Sequence, residues 1–321
     1  MAQGLNLGFG LHFDDLYCRG GLAQIDGRFL EFLTARNADA ATRLKAARTV
    51  PESVAGKAES ELIVELAPEF EDFIATLFGI AGEVTDLRSR HEELAPLYTV
   101  KRVFVQRRAA KKCNPAEAAA FDGAALRAAL APHVGGELTE LRFAQHVDSW
   151  MKAEAEHAEA LDLATRYAAW AVHSPQGQAH HAKGVLFKIP AKVDPQHLIP
   201  IETEGVAAVP AIKLPEHHCR ARNGFALTDA GTDLEGSLDH ANYCIWCHNQ
   251  GKDSCSKGLR EKTGEFKKSP FGVPLAGCPL EEKISEMNLA EAQGHTIGAL
   301  PSPSSTTRCA PRPATASATT A

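Results

Sequence analysis

The chain has 321 residues, a hydrophobic fraction of 44% and a formal net charge of −6 at pH 7. This length allows two domains with a sizeable core, and the negative charge argues against a general nucleic-acid-binding protein. No run of 18 apolar residues occurs, so no transmembrane helix is predicted, and the N-terminal stretch lacks the basic region of a secretory signal. We therefore expect a cytoplasmic protein, where clustered cysteines indicate metal or redox chemistry rather than disulfides.

Helical periodicity dominates residues 1–173, which we predict to form a helical domain. Segment 59–77 is amphipathic but contains Pro68, so we expect two helices or one kinked helix there. Residues 115–131 are expected to form one helix that ends just before a proline. Residues 137–172 carry the longest helical pattern, and their aromatic side chains are expected in the core.

The most basic run of the chain consists of Arg102, Arg107, Arg108, Lys111 and Lys112. A solvated helix face is the simpler interpretation of such a run. A surface that docks a phosphate group or a protein partner is the alternative.

Prolines and glycines divide residues 174–234 into short segments, including β-like runs at 185–189 and 205–209. We predict a loop-rich connector here. It contains His217, His218 and Cys219. A metal site at these residues is a weaker alternative, because adjacent side chains rarely reach one tetrahedral ion together.

Four cysteines cluster in the following segment, residues 235–300. Cys244, Cys247, Cys255 and Cys278 are spaced C-x2-C-x7-C-x22-C, and a proline follows the last one. Four thiolates suit either zinc or an iron–sulfur cluster. Structural zinc ribbons usually use two C-x2-C pairs, whereas a cysteine array that closes on Cys-Pro is typical of low-potential [4Fe–4S] proteins. We therefore predict a [4Fe–4S] cluster held by these four cysteines, with zinc as the alternative.

Residues 242–287 resemble the N-terminal iron–sulfur domain of the glutamate synthase small subunit and dihydropyrimidine dehydrogenase, within the pyridine nucleotide–disulfide oxidoreductase family. The family pattern is a C-x2-C pair, a third cysteine, then Cys-Pro and an isoleucine five residues after that proline, which here is Ile284. The chain departs from the family in the 22-residue gap before Cys278, where the family has only a few residues.

This resemblance implies an FAD- and NAD(P)H-dependent oxidoreductase whose cluster passes electrons. The four cysteines would be ligands rather than catalysts, in a small helical ferredoxin-like domain over residues 235–300. The chain as a whole would then be mainly α. It contains no flavin or nucleotide fingerprint. FAD and NAD(P)H would therefore bind to the full-length parent or to a redox partner subunit, and the chain alone is predicted to be inactive.

Residues 301–321 are rich in Pro, Ser, Thr and Ala and are predicted to be disordered. A natural flexible tail is one interpretation. A frameshift near Leu300 is the sharper one, because plausible codons read in another frame give a strand-like run and a further C-x2-C. On that hypothesis the chain is the N-terminal portion of a longer oxidoreductase.

A competing class is a non-enzymatic α-helical interaction protein with a structural zinc site on the same cysteines. A third interpretation is a binding module whose run from Arg102 to Lys112 docks a partner. Neither requires a membrane or a nucleic acid, and the sequence leaves the oligomeric state open.

Overall fold

The structure is a computed structural model that describes residues 5–190, 192–205, 209, 211–219, 221, 223–227 and 231–300. Helices dominate this part of the chain, which confirms the mainly α class. The chain forms two compact units, one made of Met1–Tyr98 and Leu234–Ala321 and the other of Thr99–Asp233. The domain boundaries predicted after residues 173 and 234 stay predictions. The tail at 301–321, with its predicted disorder and frameshift, lies outside the described residues.

The first unit begins with two short 3-10 turns and continues with long helices. The N-terminal helices are α1 (Arg19–Arg36), α2 (Ala38–Thr49), α3 (Lys57–Phe78) and α4 (Ala81–Val100). The C-terminal helices are α11 (Leu234–Tyr243), α12 (Ser254–Lys257), α13 (Ile284–Ala292) and α14 (Thr296–Ala299). The segment expected to form two helices or one kinked helix at Pro68 is a single helix, α3, which contains that proline.

An apolar cluster centred on Phe73 joins α1, α2 and α3. Phe9 stacks on Phe73 with ring centroids 4.9 Å apart, and Phe29 meets the same ring edge-on at 5.3 Å. Leu33 and Leu77 are fully buried beside these rings. Offset and edge-on aromatic pairs are favoured over face-to-face sandwiches, so this cluster fixes the geometry of the three helices.

Helices α13 and α14 pack directly on α3. A side chain at Gly298 would collide with the backbone oxygen of Ala67, so α14 can approach this closely only with glycine at that position. The buried carboxylate of Glu71 accepts hydrogen bonds from the amides of Ile297 and Gly298, each at 3.0 Å. Those amides belong to the first turn of α14, whose donors have no partner inside the helix. Glu71 therefore fastens the C-terminal segment to α3.

The second unit is organised around α9, which is buried along most of its length. Its elements are a π-helical stretch (Lys101–Ala109), α5 (Ala110–Lys112), α6 (Pro115–Ala119), α7 (Gly123–Val134), α8 (Glu140–Lys152), α9 (Ala158–His173), α10 (Pro175–His180), β1 (Glu202–Glu204) and β2 (Ala211–Lys213). Helix α7 packs on α9 where Gly123 lies against the Trp170 ring, leaving no room for a β-carbon. The expected burial of aromatic side chains is confirmed at Phe143, Trp150 and Tyr167.

Two helix boundaries predicted from the sequence are wrong. The helix expected over 115–131 is divided into α6 and α7, because the Asp122 carboxylate accepts hydrogen bonds from two amides and starts a new helix. The pattern over 137–172 is divided into α8 and α9, since Ala153 leaves helical geometry (φ −138°, ψ 56°). Helix propensity across Ala153 is high, yet the Ala153 amide donates to the carbonyl of Trp150 at 3.1 Å, so α8 closes in a tighter turn there.

The connector contains less β structure than the sequence pattern indicates. Residues 185–189 form turns rather than a strand, and Leu186 and Phe187 are buried. Glu140 accepts hydrogen bonds from the amides of Val185 (2.9 Å) and Leu186 (2.8 Å), which satisfies this turn without a strand partner. Further on, β1 and β2 pair antiparallel, with Thr203 opposite Ile212. The β-like run at 205–209 lies largely outside the described residues.

No helix in the described part of the chain is both long enough and apolar enough to cross a lipid bilayer.

Candidate metal centre

The first two cysteines lie on a tight turn that follows α11. Trp246, between them, adopts a left-handed backbone (φ 48°, ψ 55°). Few residues other than glycine adopt this conformation, and where they do it often marks a functional turn. The turn points the amide of Trp246 at the Sγ of Cys244, with nitrogen and sulfur 3.4 Å apart. Hydrogen bonds from backbone amides to cysteine sulfurs are typical of metal-bound cysteines, whose orientation and properties they tune.

A second amide–sulfur hydrogen bond links Cys247 to the segment that carries Cys255. Cys247 begins a short 3-10 turn that closes at Gly251 in a left-handed conformation (φ 69°). The chain then returns, so that the amide of Ser254 lies 3.4 Å from the Sγ of Cys247. Cys255 is the next residue, on α12. The third cysteine is thereby placed beside the C-x2-C turn.

The thiol of Cys255 is influenced electrostatically by the other two. Burial, followed by the nearby Cys247 and Cys244 and by Asp253, raises the pKa of Cys255. Neighbouring groups of like charge disfavour one another's ionised forms. A bound cation would reverse this effect, because a coordinating thiol is deprotonated outright.

The 22-residue gap is folded into a compact double hairpin, residues 259–275, that brings Cys278 back to Cys255. Three backbone hydrogen bonds of 2.8–2.9 Å join Leu259, Lys267 and Leu275 in a closed triangle. The two tips are closed by Glu261–Glu265 and Ser269–Val273 hydrogen bonds. The amide of Cys278 then donates to the carbonyl of Cys255 at 2.8 Å. The long gap that departs from the family pattern therefore does not separate the fourth cysteine from the third.

Two glycines make this return possible. A side chain at Gly258 would meet the carbonyl oxygen of Leu275 at 2.5 Å, and one at Gly277 would meet the amide of Gly258 at 2.4 Å. Both glycines have positive φ, 78° and 85°. Only glycine combines this backbone conformation with such a close approach.

Beneath the cysteines lies a buried polar cluster that connects to α3. The Lys283 ammonium, on a side chain only 3% exposed, contacts Glu59 at 2.9 Å and Asp253 at 3.1 Å. Burial alone would lower the pKa of Lys283, but Glu59 and Asp253 outweigh it and raise that pKa. Lysine is therefore held as the cation, and it ties the Cys255 segment and the start of α13 to the N-terminal helices.

A second part of the polar cluster contacts the cysteines. The imidazole Nδ1 of His248 lies 2.7 Å from the hydroxyl of Ser285, which in turn lies 3.9 Å from the Sγ of Cys244. The hydroxyl of Ser60, on α3, donates to the buried carboxylate of Glu286 at 2.5 Å. Burial lowers the pKa of His248, which favours the neutral imidazole. Pattern reading missed His248, Ser285 and Glu286, because nothing in their spacing links them to the cysteines.

The side chains do not stand in coordinating positions. Throughout the described residues, no group of three or more His, Cys, Asp or Glu side chains is arranged so that it could hold a metal ion. Backbone hydrogen bonds and electrostatic proximity bring Cys244, Cys247, Cys255 and Cys278 to one region, but the four-ligand set stays a prediction. The sulfur-directed amides of Trp246 and Ser254 fit a thiolate-bound group, because hydrogen bonds to ligand sulfurs are a common feature of such sites.

The other candidates have local explanations. The rings of His217 and His218 contact each other in a tilted arrangement, with centroids 4.3 Å apart and an interplanar angle of 47°, and the Cys219 thiol faces the carbonyl of Pro215. In the basic run, Arg108 pairs with Glu154 at 2.8 Å and Lys112 with Asp162 at 3.1 Å. These acids belong to the same unit, so part of the run's charge is neutralised internally.

Comparison with known proteins finds relatives without an assigned activity. Residues 7–79 match the family model described as the RP005 N-terminal alpha-helical domain. The chain is 31% identical over 304 residues to the uncharacterized protein RP005 of Rickettsia prowazekii (strain Madrid E). The aligned region covers 90% of this chain and 99% of that protein. No solved structure matches significantly. Since the similarity extends over most of both chains, this chain belongs to the RP005 family.

Proposed function

We propose that Cys244, Cys247, Cys255 and Cys278 hold a [4Fe–4S] cluster that carries electrons for an FAD- and NAD(P)H-dependent oxidoreductase. The region around them would be the small helical ferredoxin-like domain of that enzyme. The proposal rests on one observation above all, the return of Cys278 to Cys255 across the double hairpin. An iron–sulfur cluster supplies reversible one-electron transfer when bound.

The surroundings of the cysteines favour an iron–sulfur cluster over a bare ion. Amides of Trp246 and Ser254 point at two of the four sulfurs, and hydrogen bonds to sulfur tune the potential of such clusters. Lys252 and Lys257 are exposed beside the thiols and add positive charge near an anionic group. The flavin and NAD(P)H would be bound by another domain or subunit, so the chain alone should show no turnover.

Structural zinc is the second candidate, and the buried polar cluster favours it. Lys283 contacts Glu59 and Glu286 contacts Ser60, so the cysteine region is joined to α3 at two points. Such contacts are expected where a structural metal stabilises the packing of two segments. Structural zinc sites contribute directly to folding. The protein would then be a helical interaction protein without enzymatic activity.

Metal analysis distinguishes the two. The full chain is purified without oxygen, and its iron, acid-labile sulfide and zinc are measured together with the absorption spectrum. About four irons and four sulfides per chain, in a brown protein, are expected for a [4Fe–4S] cluster. Stoichiometric zinc without sulfide would overturn the iron–sulfur proposal in favour of a helical interaction protein with structural zinc. A protein that contains neither iron nor zinc would overturn both candidates.

Two cysteine variants locate the site. Cys247→Ser should lose most of the bound metal, because Cys247 is buried and its sulfur accepts a hydrogen bond from the amide of Ser254. Cys219→Ser is the matched control, since that exposed thiol faces only a backbone carbonyl, and it should keep the wild-type metal content.

A further inference from the structure

We propose that the double hairpin is the docking surface for an acidic flavoprotein that exchanges electrons with the cysteine centre. The inference rests on the proposed function, since it assumes that the four cysteines carry an electron-transfer group. It adds the surface of the chain that recognises the partner, and the charge that the partner must present.

The double hairpin is basic in an otherwise acidic chain. Its residues 259–275 include four Lys and Arg residues and two Glu residues, and Lys257 precedes them on α12, whereas the whole chain carries −6. Lys257, Lys262, Lys267 and Lys268 are all exposed. Clustered exposed charges of one sign steer a partner of opposite charge and accelerate its encounter. The occupant that fits is therefore a protein with an acidic surface.

Exposed apolar side chains lie next to the cysteines and on the second hairpin tip. Ile245, inside the C-x2-C turn, is 78% exposed, and Leu280, just after Cys278, is 68% exposed. At the tip of the second hairpin, Phe271 is 59% exposed and Val273 is 60% exposed. Protein interfaces combine an apolar centre with a polar or charged rim. The apolar residues beside the thiols thus fit the centre of a contact that places a partner's cofactor near the cluster.

The double hairpin is rigid enough to act as a preformed surface. The triangle of backbone hydrogen bonds through Leu259, Lys267 and Leu275 fixes its base. In the first tip, the guanidinium of Arg260 lies 4.1 Å from the centroid of the Phe266 ring and donates to the carbonyl of Gly264. A preorganised surface loses little conformational entropy on binding, so it binds more tightly than a mobile loop of the same composition.

Binding to a defined acidic probe tests the inference. The probe is an oxidised flavodoxin, a small acidic flavoprotein, and its affinity for the full chain is measured by calorimetry at low and at high salt. The triple variant Lys262→Glu, Lys267→Glu, Lys268→Glu should bind at least about tenfold more weakly at low salt, with a reduced salt dependence. Phe271→Ser, which leaves the charge unchanged, should also weaken binding, but without altering its salt dependence.

The control reverses the same number of charges elsewhere on the same unit. Arg19, Lys45 and Lys57 are exposed on the N-terminal helices, and Arg19→Glu, Lys45→Glu, Lys57→Glu should bind the probe within about twofold of wild type. Equal losses in both triple variants, or no salt-sensitive binding by the wild type, would overturn the docking surface.

Iron and sulfide are measured on the same samples. A full complement of iron with no hairpin-dependent binding would overturn the docking surface and leave the cluster in place. Hairpin-dependent binding in protein without iron would support the docking surface and overturn the electron-transfer role instead.

Discussion

The backbone amide of Cys278 donates to the carbonyl of Cys255 at 2.8 Å, although 22 residues lie between them. The contact depends on glycines rather than on the cysteines themselves, because Gly258 and Gly277 touch where no β-carbon fits. The candidate metal centre is therefore closed by backbone packing at the base of the double hairpin.

Gly277→Ala should open that closure. The added methyl would meet the amide of Gly258 at 2.4 Å, so Cys278 should move away, with loss of most bound metal and about 1–3 kcal/mol of unfolding free energy. Gly264→Ala is the matched control, since Gly264 also has positive φ (91°) but has open space around it. Metal content and urea unfolding are measured for both. Equal effects would show that strained φ, not the close approach, is what matters.

Lys283→Met should destabilise the first unit strongly. It removes the buried cation between Glu59 and Asp253 and leaves two carboxylates without their partner, a change that typically costs about 3–5 kcal/mol. The control is Lys57→Met, because Lys57 faces Glu61 at 3.5 Å with both side chains about 60% exposed. That change should cost less than about 1 kcal/mol. Denaturant unfolding measures both, and similar costs would contradict the burial of the Lys283 cluster.

The free energy of unfolding should depend on pH through the ionisation of Glu71. Burial alone would raise the pKa of Glu71, but His295, the Gly298 amide and Arg88 together lower it. A carboxyl whose folded pKa is lowered stabilises the protein above its unfolded pKa of about 4.3, and this stabilisation is lost as pH falls through the folded value.

Comparison of Glu71→Gln with wild type tests this dependence. The difference in unfolding free energy between the two should be largest above about pH 5 and should shrink as the solution is acidified. Glu61→Gln, at an exposed position, is the control and should differ little from wild type at any pH. A Glu71→Gln difference that stayed constant from pH 7 to pH 3 would rule out a charged, hydrogen-bonded Glu71.

Asp122→Ala tests the division between α6 and α7. The Asp122 carboxylate accepts from the amides of Ala124 and Ala125, each at 3.0 Å, and loss of such a cap costs about 1 kcal/mol. Glu137→Ala, an exposed loop position, should change stability by less than about 0.5 kcal/mol. Thermal unfolding followed by circular dichroism gives both values. No difference between the variants would favour the single helix that the sequence pattern predicts.

Pattern reading succeeded where local chemistry decides the structure. Helical periodicity predicted a mainly α chain, and the aromatic residues of α8 and α9 are buried as expected. It failed at Ala153, where the alanine-rich sequence favours a helix but the backbone leaves helical geometry. It also failed at Asp122, whose capping role was overlooked within an apparently continuous helix.

The cysteine spacing and the Cys-Pro sequence by themselves determined which residues are candidates for metal binding, because ligand chemistry is carried by residue type and short-range spacing. The association of those residues with the N-terminal helices depends on contacts between α3 and the C-terminal segment that join residues more than 200 positions apart. They are the contacts of Lys283 with Glu59, of Glu286 with Ser60 and of Ile297 with Glu71. Such contacts produce no periodic pattern in the sequence, because the burial and charge pairing arise only when segments distant along the chain come together. The tertiary structure alone decided that Cys278 returns to Cys255, because that return requires two particular glycines to touch.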